Sequence, residues 1–187
     1  SILINVTPDH EKWFKQHENQ LKGILFSHAH KDALASWFKQ YRTKVPIYVT
    51  EELTEAENFR LSSKYKIVPE KRAFEIDGIK FVYHPIKHAK NTPTYAIEID
   101  DQIIHSEDVL DFPNPEILRN KKLWIADGSS LKRRIERNGM GHMSMFEAIE
   151  LASKYNVNRV IFTQIGHSRG LSHEELHEEL FCHPQPN

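Results

Sequence analysis

Gly23-Ile24-Leu25-Phe26-Ser27-His28-Ala29-His30-Lys31-Asp32-Ala33 is the stretch on which the fold turns. Glycine opens a short apolar run suited to a buried strand, and the run stops abruptly in polar residues. The histidines therefore fall at a strand's carboxyl end, where sites in α/β proteins are built. Two imidazoles separated by one residue in an extended or looping segment can both be directed at one ion, and a carboxylate would add neutralising charge.

Outward from this stretch, strands and helices alternate. Ile2 to Val6 reads as another buried strand, followed by Thr7-Pro8-Asp9, a cap residue with proline at the first helical position, and a helix from about Pro8 into the Gln20 region. On the other side, Ala33 to Tyr41 reads as a helix and Pro46 to Val49 as a strand, while Thr54-Glu55-Ala56-Glu57 has the spacing of a capping box. The middle of the chain changes to hairpins. Ala73 to Ile76 and Ile79 to Tyr83 flank Asp77-Gly78, and Thr94 to Ile99 joins Gln102 to His105 across Asp100-Asp101. Residues 111 to 122 read as a long loop. Leu123 to Ala126 is a strand ending at Asp127-Gly128, Ser144 and Glu147 form a capping box for an amphipathic helix, Val160 to Phe162 is a last buried strand, and Ser172 to Glu175 caps a closing helix. The pattern predicts an α/β fold with β-α units at both ends and hairpins between.

Composition narrows the class. With 187 residues, 39% hydrophobic and 27% charged, the chain has the size of a single domain spanning 1–187. A formal net charge of -1 supplies no global field toward nucleic acid or an anionic membrane. The single cysteine, Cys182, excludes an internal disulfide and a cysteine-rich zinc module. No apolar run is long enough for a bilayer span or a secretory signal, so a cytoplasmic protein is expected, with a homodimer compatible.

Twelve histidines remain to be placed. In chain order the candidate ligands are His28, His30, Asp32, His84 or His88, Asp108, His142 and His167, nearly all just after a predicted strand. That recurrence carries more weight than any one of them. His84, before Pro85 at a strand end, reads as structural or as a residue behind the ligands, and His17, His105, His173, His177 and His183 read as solvated.

Ser27-His28-Ala29-His30-Lys31-Asp32-Ala33 resembles the His-x-His-x-Asp-His motif of the metallo-β-lactamase superfamily, with Ala33 where the last histidine usually stands. The resemblance extends over almost the whole chain. Ile2 to Asn5 is similar to the strand before that motif, His88 to the third-motif histidine, and Ile103-Ile104-His105-Ser106-Glu107-Asp108 to the strand whose terminal aspartate bridges two metals. Gly141-His142-Met143-Ser144 and Phe162-Thr163-Gln164-Ile165-Gly166-His167 resemble the closing motifs of the branch containing ribonuclease Z and the phosphoribosyl cyclic-phosphate phosphodiesterases.

The resemblance implies a four-layer αββα sandwich, without the family's N-terminal hairpin if the chain is minimal or truncated. It implies a metal site of His28, His30, His88 and Asp108, zinc first and manganese or iron as alternatives. Ala33 and Gln164 replace histidines that ordinarily hold a second ion, which leaves Asp32, Gln164 and His167 as candidates for a weaker site. The implied chemistry is hydrolysis of a small cyclic or nucleotide-like phosphodiester. Asp32 would orient or deprotonate the attacking water, and His142 would contact the phosphate and protonate the leaving oxygen. The competing reading for His142 is support of the helix cap at Ser144. Arg133, Arg134 and Arg137 belong to a dense basic run that could grip phosphate or form a solvated face. An RNA or DNA nuclease and a degenerate, non-catalytic metal-stabilised binding module are the alternatives.

Overall fold

The computed structural model describes residues 1–132, 134–137, 140–165, 174, 175 and 178. The first strand, β1 (Ile2–Ile4), leads through a tight turn at Pro8–His10 into α1 (Glu11–His17). Next come β2 (Gly23–Leu25), α2 (Ser36–Gln40), β3 (Ile47–Val49), α3 (Glu51–Glu55) and β4 (Lys66–Ile67). The hairpin region holds β5 (Phe74–Ile76), β6 (Ile79–Ala89), β7 (Thr92–Ile99) and β8 (Ile103–Ser106). It is followed by β9 (Leu123–Asp127), β10 (Ile135–Arg137), β11 (Met140–His142), α4 (Met145–Lys154) and β12 (Val160–Thr163).

Two sheets result. β1-β2-β3-β4 is wholly parallel, and a larger mixed sheet runs β10-β11-β6-β7-β8-β9-β12 with β5 also on β6. Parallel strands need both faces covered. Phe14 of α1 and Phe38 of α2 join Ile24, Leu25, Ile47, Phe81, Tyr83 and Ile97 in one core, which fills the space under the helices and between the sheets. Alternation along β7 sends Ala96 to the opposite face, where Ile104, Trp124, Ala148 and Ala152 form a second core beneath α4. The layers are therefore helix, sheet, sheet, helix, as the resemblance implied.

The Asp77-Gly78 hairpin turns with both residues in the left-handed region (φ 54° and 79°), and Asp100-Asp101 does the same (50° and 58°). Ser144 caps α4 with Glu147 in reciprocal bonds. Other expectations need correction. The helix expected from Ala33 starts only at Ser36, because Ala33 to Ala35 are drawn into backbone bonds with Val6, an isolated parallel bridge. The cap near residue 54 is at Thr50 instead, whose hydroxyl accepts the Leu53 N–H, leaving Thr54 inside α3. His84 lies in mid-strand, since β6 continues through Pro85 to Ala89. The loop over 111 to 122 contains a 3-10 turn, Pro115–Leu118. The closing helix expected from Ser172 lies mostly outside the described residues, with Glu174, Glu175 and Glu178 helical. Among the described residues no helix is long and apolar enough to cross a membrane.

Candidate metal centre

The polar residues collect where strands end. His28, His30 and Asp32 follow β2, His88 stands near the end of β6, Asp108 just past β8, Asp127 at the end of β9 and His142 at the end of β11. A single bridge, Met140 to Ala89, sets β11 beside β6 and so brings His142 to His88, their rings 4.9 Å apart. The result is convergence. Among the described residues, donor atoms of His28, His30 and His88, of His88, Asp108 and His142, and of His28, Asp32 and Asp108 form three overlapping triads, each with its atoms within 4.8 Å of one another.

Local bonds choose which nitrogens face inward. His88 donates its Nδ1–H to the Gly141 carbonyl at 2.9 Å, which leaves Nε2 as a lone pair 3.3 Å from His30 Nδ1. The Gly141 backbone can come this close to its neighbours because it carries no side chain: a Cβ there would stand 2.7 Å from the Leu110 methyls. His28 Nδ1 is 2.9 Å from Ser27 Oγ, so its Nε2 points toward Asp108 Oδ2 at 3.3 Å and Asp32 Oδ1 at 3.6 Å.

The residues fit a divalent ion. His28 Nε2 and Asp108 Oδ2 are both buried and have no hydrogen-bond partner among the described residues, facing each other across a gap that a cation would fill. Burial lowers His88 to about 4, and burial together with the neighbouring His28 lowers His30, so both imidazoles present lone pairs at neutral pH. The carboxylates display the complementary imbalance. Burial, with the charges of Asp32 and Asp127 nearby, raises Asp108 to about 6, and burial with Asp108 beside it raises Glu107 to about 8. Asp32 has about half of its side chain exposed (52%), and pairing with His28 holds it down at about 2. Neutral imidazoles around crowded carboxylates suit a borderline metal such as zinc.

His142 does not serve the cap of α4, which Glu147 completes. Instead it donates Nδ1–H to Asp127 Oδ2 at 2.6 Å, and its ring also lies 3.5 Å from Asp108 Oδ1. That bond to Asp127 raises the His142 pKa. Asp127 is fully buried and accepts N–H bonds from Ser129 and Val109 as well. Reading the sequence missed this residue, although it ends an apolar strand run in the way Asp108 does. His105, expected on the surface, is instead largely enclosed between the sheets, where burial lowers it to about 4. His84 pairs across the hairpin with Glu98 Oε2 at 2.6 Å, away from the triads.

Arg134 is engaged by Glu147 at 2.9 Å and Glu136 at 3.8 Å on the α4 side. Arg137 lies in β10, and Arg133 and His167 lie outside the described residues. Ala33 is a buried methyl, and Gln164 is exposed just past β12 with φ at 60°.

Comparison with known proteins agrees with this architecture. Among solved structures the chain is similar to a diphosphatase from the PhnP family, with 21% identity over 93% of this chain and 72% of that one and a TM-score of 0.69. It is similar also to the metallo-beta-lactamase fold protein YhfI from Bacillus subtilis (17% identity, 95% and 78% covered, TM-score 0.67). A third is an isothiocyanate hydrolase from Delia radicum gut bacteria (14% identity, 88% and 72% covered, TM-score 0.62). At these identities the likeness is one of fold. No curated protein matches the sequence. The family model of the beta-lactamase superfamily domain matches residues 1–165, from β1 to just past β12, and the chain belongs to that superfamily of metal-dependent hydrolases.

Proposed function

We propose that the chain is a metal-dependent phosphodiesterase acting on a small cyclic or nucleotide-like phosphodiester. The observation that carries this reading is the Asp127–His142 pair set against the overlapping triads that contain His28, His30, His88 and Asp108. His28, His30, His88 and Asp108 would hold the ion, zinc in this reading, which would supply Lewis acidity toward a phosphoryl oxygen and toward water. Asp32, ionised and half exposed at the mouth of the cluster, accepts the proton of the attacking water and orients it. Asp127 holds His142 by Nδ1, so that Nε2 is the nitrogen free to carry a proton to the leaving oxygen. The raised pKa of His142 favours the protonated form that such a donor needs.

A small substrate is favoured over RNA or DNA because Arg134 already has carboxylate partners, which weakens the basic run as a phosphate track. A second reading, a metal-stabilised module without catalysis, draws on Ala33 and Gln164, neither of which brings an imidazole to a second ion. One assay separates the two. Hydrolysis of bis-para-nitrophenyl phosphate is followed with metal-free protein and after addition of zinc, manganese or iron, with the monoester as control. Ion-dependent turnover of the diester above the monoester is expected. Ion uptake without diester turnover would overturn the phosphodiesterase reading in favour of the module.

A further inference from the structure

The first strand is followed by a residue that bonds to both ligand-bearing loops. Asn5 follows β1, is buried, and takes a left-handed backbone (φ 62°), a conformation that asparagine and aspartate tolerate better than most residues. Its own N–H donates to the Leu25 carbonyl at 2.8 Å, which anchors it beside the end of β2. Its side chain then works in two directions. Oδ1 accepts the Ser27 N–H at 2.9 Å while Nδ2 donates to Ser27 Oγ at 2.9 Å, and that hydroxyl is the partner of His28 Nδ1. Nδ2 also donates to Glu107 Oε1, one residue before Asp108.

These bonds form a chain. Glu107, Asn5, Ser27 and His28 are joined in order, and at its open end His28 Nε2 faces Asp108 Oδ2, one residue past Glu107, at 3.3 Å without a hydrogen bond. We propose that Asn5 is a positioning residue of the metal centre, whose amide ties the His28 loop to the Asp108 loop and fixes the separation of two ligands of one ion. The need for an amide rather than a carboxylate follows from the partners. A carboxylate at position 5 would still accept the Ser27 N–H, but it lacks the N–H that the amide donates to Glu107. Partners behind a metal ligand commonly hold its orientation, and their loss costs about 10- to 100-fold in metal affinity. The inference rests on the metal centre and not on the phosphodiester substrate.

The test is zinc affinity, read by competition with a chelator at pH 8.5, together with the melting temperature of the metal-free protein. Asn5→Asp keeps the size and the backbone preference and removes only the donor; it is expected to weaken zinc about 10- to 100-fold. Glu107→Gln added to Asn5→Asp restores a donor facing an acceptor and is expected to recover most of the loss. Wild-type affinity in Asn5→Asp, or a loss that the double variant does not recover, would overturn the proposal. Failure of both variants to fold would overturn it too, making Asn5 a residue of stability alone. Wild-type protein that binds zinc without cleaving diesters would sink the phosphodiesterase reading and leave this inference standing, whereas wild-type protein that binds no ion would end both.

Discussion

The His28 loop and the segment from Asp127 to His142 contribute to the same centre by different means. In the first, the ligands are neighbours in sequence and a single turn after β2 presents His28, His30 and Asp32 together. In the second, Asp127 and His142 stand on β9 and β11, which three other strands separate in the sheet. Their 2.6 Å contact exists only because the ends of those strands converge across the sheet. The first region reads as ion holding, with buried lone pairs and an orphaned carboxylate oxygen, and the second as proton handling, with a raised histidine on a buried aspartate. One centre combines a local motif with a product of topology.

Substitutions can break or sharpen that division. The largest effect is expected in the ion-holding region. Asp108→Asn removes the charge facing His28 Nε2, so ion uptake should be lost and diester hydrolysis should fall to background, as elemental analysis and the diesterase assay would read. In the proton-handling region, His142→Ala should lower kcat by about 10²- to 10⁴-fold while the ion remains bound. Loss of the ion in that variant would move His142 into the first group. Asp127→Asn is expected to cost less, about 10- to 100-fold in kcat, because an amide oxygen can still accept the His142 Nδ1–H. Equal losses in Asp127→Asn and His142→Ala would mean that the pair acts as one unit.

The smallest effect lies outside both regions and bears on stability. Against the burial that opposes its charge, Glu98 is held down to about 2 by His84 and Lys121. A carboxylate whose folded pKa lies below its unfolded value near 4.5 contributes stability that is complete above that value and disappears as pH falls toward 2. Glu98→Gln should therefore be less stable than wild type at pH 7, and the gap should close progressively below about pH 4.5. Thermal melts across that range would read it, and a gap that stays constant would show that ionisation of Glu98 contributes nothing.

How much of this was legible follows the same division. His28, His30 and Asp108 could be read as candidates because each follows an apolar strand run, and strand ends in such folds gather at sites, whereas the choice of His88 over His84 came from the family resemblance. The capping box at Ser144 and the Asp77-Gly78 and Asp100-Asp101 turns were legible because their chemistry is local. Asp127 carried the same strand-end mark as Asp108, but its partner depends on sheet order, which local pattern does not contain. The β10–β11 hairpin was hidden in a polar, basic run with no apolar alternation. His105 looked like surface by residue type. It lies on β8 between β7 and β9 in a sheet covered on both faces, and a central strand leaves little room for solvent. Asn5 was read as the end of a strand and not as a link, since both of its side-chain partners, Ser27 and Glu107, are distant in sequence.

The central claim is that His28, His30, His88 and Asp108 form one metal centre. Elemental analysis of the purified wild-type chain beside Asp108→Asn, after identical dialysis, tests it most directly. At least one tightly held divalent ion per wild-type chain and none in the variant is expected; a wild-type chain without metal, or a variant that keeps its ion, would contradict a shared centre.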